Sequence, residues 1–276
     1  MRYDVEHRDA AHMAEQYTKV QHFFNQVGVI CFLGLSIYLL TIFVGEVDSG
    51  NAYWLALALV LGIFLADLLT GLVHWGCDTW GNADTFFWGR GFIRSFREHH
   101  VAPSAITDHD WAQANGEQSI LGCFFLFLMI YLSPKGETTG WLFFQGAMFS
   151  MLFFAVATNQ FHKWSHEKDP GLLGRFLIRV KFVQSYKKHL AHHTVPYEKG
   201  YCITTGWMNP LLDRIRFFRG LEWLVMRTTG ALPRGDDVGE RAALQILRDM
   251  GLKPPKKYRE AYEDILRSES SKRRTA

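Results

Sequence analysis

The chain alternates between long uncharged apolar blocks and shorter polar segments. Residues 27–44, 119–134 and 138–161 contain no Asp, Glu, Lys or Arg, and residues 53–75 contain only Asp67. A helix needs about 20 apolar residues to cross a bilayer core, and three of these four blocks reach or approach that length. The pattern predicts four membrane-spanning helices rather than helices buried in a soluble protein, because several blocks this long would require a very large soluble core.

The predicted fold class is an all-α integral membrane protein, with four transmembrane helices that carry a cytosolic, histidine-rich helical cap. The expected parts are a cytosolic N-terminal segment over residues 1–26, a membrane domain over 27–245 and a charged C-terminal tail over 246–276, of which residues 253–276 are expected to be solvated. Spans are expected at about 27–45, 53–75, 119–133 and 140–161. Residues 170–190 and 211–229 mix apolar and basic residues at helical spacing. This pattern suits either amphipathic helices at the membrane interface or packing helices of the cap.

Charge sets the expected orientation. The net charge of +3 is too small to suggest a nucleic-acid partner. Four spans would put both termini and residues 76–118 on one side, and that side holds every Lys and Arg except Lys135. Basic loops stay in the cytosol, so we expect this side to be cytosolic. The membrane would be the inner membrane of a bacterium or the endoplasmic reticulum of a eukaryote.

Histidines are the candidate chemical groups. The four cysteines are scattered and form no CxxC pair, which argues against a disulfide-stapled fold and against a cysteine-ligated metal. Nine of the twelve histidines lie between residues 74 and 193. All nine fall at the predicted cytosolic ends of spans or on the cytosolic side. Because that topology was inferred without them, their common location is a separate indication of a shared site.

The histidine spacings are helical. His162 and His166 are i,i+4 neighbours, so both rings can reach one metal from one helix face. The adjacent His99 and His100 point about 100° apart on a helix, which suits two different metals better than one. One-face spacing recurs in two other groups, which are His74 with Asp78, and His189 with His192 and His193.

The number of imidazoles bears on the identity of the metal. Structural zinc takes four ligands and catalytic zinc usually three, so these groups exceed what a single zinc site needs. A nitrogen-rich set without thiolate suits iron, although imidazole also serves zinc, copper and nickel. Two irons would leave positions for dioxygen, and haem is the main competitor. The candidate ligands are His74, His99, His100, His162, His166, His189, His192 and His193. Asp67 is an intramembrane acid, for which a functional or supporting role is the default expectation.

Four long motifs resemble one known family. They are ADLLTGLVHWGCDTWG, FIRSFREHHVAPSAITDHDW, TNQFHKWSH and KKHLAHHTVPYEKGYCITTGWMN. The motifs occur in this order in the plasmanylethanolamine desaturase family, whose domain is also called the Kua-type lipid desaturase domain. The resemblance covers about residues 55–240.

The resemblance implies a di-iron membrane enzyme that uses dioxygen. It would form a cis double bond between the first two carbons of the 1-O-alkyl chain of an ethanolamine ether phospholipid, giving the vinyl ether of a plasmalogen. The family's essential histidines map onto the eight candidates above. Asp78 would ligate metal or accept a hydrogen bond from a ligand, and His109 would be a supporting residue. The chain has no flavin or nicotinamide fingerprint. Electrons would therefore come from a docked carrier such as cytochrome b5 or a ferredoxin.

Several alternatives stay open at this point. An acyl-phospholipid desaturase or a hydroxylase would use the same di-iron site. Outside the enzymes, the chain could be a haem- or metal-binding electron carrier of the membrane. Phosphate of the lipid headgroup could meet basic residues near the site, and the candidates for this contact are Arg90, Arg94, Arg97, Lys187 and Lys188.

Overall fold

The computed structural model describes residues 19–82, 84–86, 89, 93–132, 138–194 and 196–274, and these residues form helices and connecting turns without a strand. The helices are α1 (Lys19–Glu46), α2 (Ala52–Thr79), α3 (Arg94–Val101), α4 (Trp111–Leu132), α5 (Thr139–His166), α6 (Gly171–Arg179), α7 (Tyr186–His189), α8 (Asn209–Arg214), α9 (Phe217–Thr229), α10 (Glu240–Asp249) and α11 (Arg259–Arg274). The all-α prediction is confirmed.

Helices α1, α2, α4 and α5 are each long and apolar enough to cross a membrane. At least one end of each continues as helix beyond the span expected from hydrophobicity, because the polar turns that follow the apolar blocks are helical as well. Two of these extensions matter for function. Helix α2 runs on to Thr79 and α5 to His166, so both carry histidines beyond their apolar stretches.

The four long helices pack as two close pairs, α1 with α4 and α2 with α5. The second pair approaches closely at Gly62, where an added Cβ would lie 2.5 Å from the carbonyl oxygen of Ala147. Leu39, Leu126 and Phe149 belong to the apolar core shared by the helices. Each close pair joins helices that are not consecutive in the chain, so hydrophobic blocks alone could not predict the pairing.

An extended segment over residues 201–208 lies against α2. It comes so close at Gly71 that an added Cβ would lie 2.6 Å from Cys202 Sγ and 3.2 Å from Cys202 Cα. Asp67 holds the same segment, because Oδ1 accepts the backbone N–H groups of Thr205 at 2.8 Å and Gly206 at 2.9 Å. Its Oδ2 accepts the N–H of Met208 at 3.0 Å. The intramembrane carboxylate expected from the sequence therefore anchors this segment.

The C-terminal region differs from the solvated tail expected over residues 253–276. Helix α11 places Ile265 in an apolar cluster with Leu244, Leu247 and Met250 of the α10 region. Trp80, which follows α2, packs against the same cluster. Tyr258, Ala261 and Tyr262 also pack against this cluster, so residues 258–265 are packed against α10 although the stretch is highly charged.

Candidate metal centre

The metal-ligand candidates meet at one end of the bundle. His74 and Asp78 lie in the last turns of α2, and His162 and His166 in the last turns of α5. Helix α3 supplies two further candidates and the turn after α7 supplies the rest. The long helices therefore bring together groups that are more than 100 residues apart in the chain.

Five histidines form the first cluster. Their ligand atoms lie within 4.8 Å of one another, and the members are His99, His162, His166, His189 and His193. Nε2 of His193 lies 3.0 Å from Nε2 of His99 and 3.0 Å from Nε2 of His189. Two nitrogens bound to one ion at about 2.1 Å, at a right angle, would be about 3 Å apart. The spacing is therefore that of imidazoles arranged around a single metal ion.

Three histidines and a carboxylate form the second cluster, which consists of His74, Asp78, His100 and His192. Asp78 Oδ2 is its centre. That oxygen lies 3.2 Å from Nε2 of His74, 3.1 Å from Nε2 of His100 and 3.3 Å from Nε2 of His192. Asp78 Oδ2 thus lies among the possible ligand atoms of the second cluster.

Buried polar atoms in both clusters make no well-directed hydrogen bond. Within the described part of the chain, these atoms are Nε2 of His74, Nε2 of His166 and both carboxylate oxygens of Asp78, although Nε2 of His74 lies 3.2 Å from Oδ2 of Asp78. Such atoms are costly to bury unless something satisfies them. A pair of metal ions bound by the two clusters would do so, and the donor set of eight imidazoles and one carboxylate fits borderline first-row metals.

Four histidines outside the spans are held neutral. Burial lowers the pKa of His99 and His189 well below the ordinary value of 6.5, and neighbouring imidazoles lower it further. Burial also lowers the pKa of His192 and His193, although Asp78 opposes the effect at His192. A neutral imidazole has a free lone pair, and that is the form that binds metal.

Two backbone carbonyls orient ligands of the second cluster. Nδ1 of His74 donates to the carbonyl oxygen of Tyr201 at 3.0 Å, and Nδ1 of His192 donates to that of Lys199 at 3.2 Å. A carbonyl can only accept, so the proton must be on Nδ1 and the lone pair of Nε2 points into the cluster. No sequence signal could have revealed these contacts, because any residue has a carbonyl.

Arg97 holds helix α3 in place through three hydrogen bonds. Its guanidinium donates to the carbonyl oxygens of Asp78 at 2.9 Å and Gly81 at 2.8 Å, and to Asp237 Oδ2 at 2.7 Å. Arg97 is buried, so it is not the headgroup contact that the sequence suggested. All three hydrogen bonds of its guanidinium go to acceptors inside the protein.

The other headgroup candidates have different positions. Lys187 and Lys188 are exposed, Arg94 is half-buried, and Arg90 lies outside the described residues.

A second buried pair lies nearby, in which Arg234 donates to Glu222 at 2.7 Å and to the Tyr201 hydroxyl at 3.0 Å. These pairs tie the α9 and C-terminal regions to the metal centre, and the sequence did not indicate them.

A group of threonines lies one helical turn from the ligands, on the membrane side. Thr70 precedes His74 by four residues, and Thr158 precedes His162 by four. The hydroxyl of Thr204 lies between them, 2.8 Å from the Thr70 hydroxyl and 2.6 Å from that of Thr158. Three hydroxyl groups therefore lie together on the membrane side of the two clusters, between α2 and α5.

The clusters group the candidate ligands as their spacing predicts in three cases and differently in one. His162 with His166, and His74 with Asp78, share a cluster, whereas the neighbours His99 and His100 divide between the two. The group His189, His192 and His193 does not face a single site. Helix α7 ends at His189 and the chain continues as turns, so His192 joins the second cluster while the other two join the first.

His109 lies apart from both clusters. Its side chain is exposed, and its backbone carbonyl accepts a hydrogen bond from the Lys163 ammonium. Its location agrees with a supporting role near the start of α4 rather than with a place among the grouped ligands.

Comparison with known proteins shows the family of this chain. The profile of the lipid desaturase domain matches residues 63–236. The plasmanylethanolamine desaturase of Myxococcus xanthus is 40% identical over 244 residues, which cover 88% of this chain and 85% of that protein. The chain belongs to the lipid desaturase family.

Two other relatives show the breadth of this family. Plasmanylethanolamine desaturase 1 of Mus musculus is 37% identical over 246 residues, covering 86% of this chain and 89% of that protein. The chloroplastic fatty acid desaturase 4 of Arabidopsis thaliana is 31% identical over 194 residues, covering 69% of this chain and 58% of that protein. No solved structure matches the chain significantly. Members of the lipid desaturase family are oxidoreductases, and the two histidine clusters of this chain can hold metal.

Proposed function

We propose that this lipid desaturase converts the 1-O-alkyl chain of an ethanolamine ether phospholipid into the vinyl ether of a plasmalogen. The observation that carries the proposal is the pair of adjacent donor clusters at one end of four apolar helices. The two relatives named for this reaction match most of the chain. A membrane lipid is the substrate that can reach such a site.

The two clusters would hold two irons. The five histidines would bind one and Asp78 with its three histidines the other. The irons would supply the oxidising power of dioxygen needed to remove one hydrogen from each of two adjacent alkyl carbons. The protein's own part is to keep the imidazoles neutral, to aim their lone pairs, and to bury the centre at the end of α2 and α5.

Each turnover needs two electrons from outside. The alkyl chain loses two hydrogens, and reduction of dioxygen to two waters needs two further electrons with their protons. We infer a docked one-electron carrier, such as cytochrome b5 or a ferredoxin. Lys187 and Lys188 are exposed immediately before the ligand His189, and an acidic carrier would be attracted to that surface.

The histidine-bearing end of the bundle would face the cytosol, because nearly all basic residues lie on that side. The partition into an N-terminal segment (1–26), a membrane domain (27–245) and a charged C-terminal region (246–276) belongs to the same proposal. A reporter fused to the C-terminus should report a cytosolic location. An extracytosolic signal would overturn this orientation.

A haem-binding electron carrier is the non-enzyme candidate. The cavity beside Asp78, Arg97, His100 and Tyr197 has a volume of about 10 Å³, which is far too small for a porphyrin. The visible spectrum of purified protein separates the cases. A strong Soret band would support haem, and two irons per chain without that band would support the desaturase.

The decisive experiment is expression in cells that lack plasmalogens and are fed an alkyl ether lipid. The expected product is acid-labile and two hydrogens lighter, as measured by mass spectrometry. A product heavier by one oxygen would identify a hydroxylase, and a double bond within an ester-linked chain would identify an acyl-lipid desaturase. His162→Ala, which removes one ligand of the first cluster, is the inactive control.

A further inference from the structure

Helix α6 carries an exposed apolar face next to the metal-bearing end of α5. Leu172, Leu173, Phe176 and Val180 are 82%, 60%, 59% and 52% exposed. Leu172, Phe176 and Val180 follow one another at i,i+4 spacing, so they form one stripe with Leu173 beside it. The opposite side of the helix is seated on α5, since an added Cβ at Gly174 would lie 3.2 Å from the ring of Trp164.

The end of α6 lies at the depth of the spans and not above them. The ring centroid of Phe182 is 5.5 Å from that of Phe154 and 6.0 Å from that of Phe161, and both partners belong to α5. Phe161 and Phe154 precede the ligand His162 by one and eight residues, so these contacts extend over about 12 Å of helix on its membrane side. The segment after α6 therefore reaches to the membrane side of the metal centre.

Trp207 gives a second measure of this depth. Its ring centroid lies 5.5 Å from that of Phe182 and 5.6 Å from that of Phe64 on α2. Phe64 precedes the ligand His74 by ten residues, or about 15 Å of helix. Two independent long helices thus place the end of α6 beside the part of the bundle that faces lipid.

The backbone polar groups at the end of α6 are hydrogen-bonded within the protein. Lys181 adopts a φ of 63°, and the chain closes with hydrogen bonds from Phe182 N to Leu177 O at 2.9 Å and from Lys181 N to Ile178 O at 3.1 Å. This pattern is a Schellman motif, which satisfies the last carbonyls of a helix. Trp207 Nε1 donates to the Lys181 carbonyl at 2.9 Å. Polar backbone groups must be satisfied in this way before a segment can enter hydrocarbon.

Basic residues border the apolar stripe on one side. Arg175 and Arg179 are exposed at i,i+4 spacing, and residues 170–197 contain no Asp or Glu. The guanidinium of Arg175 also donates to the exposed carboxylate of Asp169 at 2.6 Å, so Arg179 is the arginine of this border without that acidic partner. An apolar face bordered by Arg is typical of helices that lie in a membrane interface, where anionic phosphates meet the guanidinium groups. The Lys181 ammonium can reach the same level by extending its aliphatic stem.

We propose that α6 is a membrane wedge: its apolar face inserts into the hydrocarbon edge of the leaflet on the histidine side, with Arg175 and Arg179 at the level of the lipid phosphates. The inference rests on the membrane location within the proposed function and not on its chemistry. Phe182 and Trp207 join the end of α6 to Phe154 on α5 and Phe64 on α2, which belong to two helices long and apolar enough to cross a membrane, so the occupant is the bilayer itself. The wedge would hold the metal centre at the depth of the first carbons of a lipid chain.

Depth-dependent fluorescence quenching tests the wedge in the full-length protein. A thiol-reactive fluorophore is placed on Phe176→Cys, and separately on Lys188→Cys, in a background with Cys31→Ser and Cys123→Ser. The native Cys31, which is exposed within α1, serves as the embedded reference in the Cys123→Ser protein. Each protein is reconstituted in nanodiscs of phosphatidylcholine and phosphatidylglycerol with brominated acyl chains.

We expect the label at Phe176→Cys to be quenched within about twofold of the label at Cys31, and the label at Lys188→Cys to be almost unquenched. Quenching at Cys31 together with none at Phe176→Cys would overturn the wedge while leaving the transmembrane helices intact. Absence of quenching at Cys31 would overturn the membrane location as well. Leu173→Cys, on the same face, gives a second reading if Phe176→Cys folds poorly.

Discussion

Nη1 of Arg97 lies 2.7 Å from Oδ2 of Asp237, and both side chains are buried. This pair connects α3, which supplies one histidine to each cluster, with the C-terminal region. Removing one partner of a buried ion pair costs about 3–5 kcal/mol, because the other charge stays buried without compensation. We therefore expect Asp237→Asn to lower the thermal unfolding temperature and to reduce iron in both sites.

Metal analysis and a thermal unfolding scan check this prediction. Glu263→Gln is the matched control, because it breaks an exposed ion pair with Arg267 on α11 and should cost less than about 1 kcal/mol. Full iron content and an unchanged unfolding temperature in Asp237→Asn would show that α3 does not depend on this pair.

Asp78 is expected to be a ligand of the second iron. Its Oδ2 lies within 3.3 Å of three histidine nitrogens, so Asp78→Ala removes the one carboxylate that the described residues place in the two clusters. We expect iron to fall from two to about one per chain and product formation to be lost. Retention of two irons in this variant would place Asp78 outside the ligand set.

His109→Ala should keep the metal and part of the activity. The His109 side chain is exposed, and its contact to Lys163 uses the backbone carbonyl, which alanine also has. Iron content and product formation are measured beside His193→Ala, which should lose both. Loss of iron in His109→Ala would make His109 a ligand.

Asp67→Ala should destabilise the protein although Asp67 lies outside both clusters. Three backbone N–H groups would lose their acceptor, and each unsatisfied buried donor costs about 1–3 kcal/mol. Asp67→Asn should do less harm, because its amide oxygen can still accept from Thr205 and Gly206. Equal unfolding temperatures for the two variants would contradict this account.

Gly71→Ala should impair the enzyme through the 201–208 segment. The new methyl would lie 2.6 Å from Cys202 Sγ and 3.2 Å from Cys202 Cα, so it would push away the residue next to Tyr201, whose carbonyl orients His74. Gly34→Ala is the control, since an added Cβ there meets nothing within 4 Å. We expect lower activity and less iron in Gly71→Ala, and wild-type values in the control.

The sequence by itself determined the helical class, the four spans and the identity of the ligand candidates. These properties follow from local patterns, since uncharged length predicts a span and i,i+4 spacing predicts a shared face. Even the division of His99 and His100 between two clusters follows from the 100° step of a helix.

Tertiary structure alone decided which groups meet. The pairing of α2 with α5 brings His74 to His162, and the turns after His189 send His192 to the other cluster. The ion pair between Arg97 and Asp237 and the hydrogen bond from His74 to the Tyr201 carbonyl each join residues more than 100 positions apart. Such contacts depend on how helices pack in three dimensions, and the spacing of residues along the chain does not predict that packing.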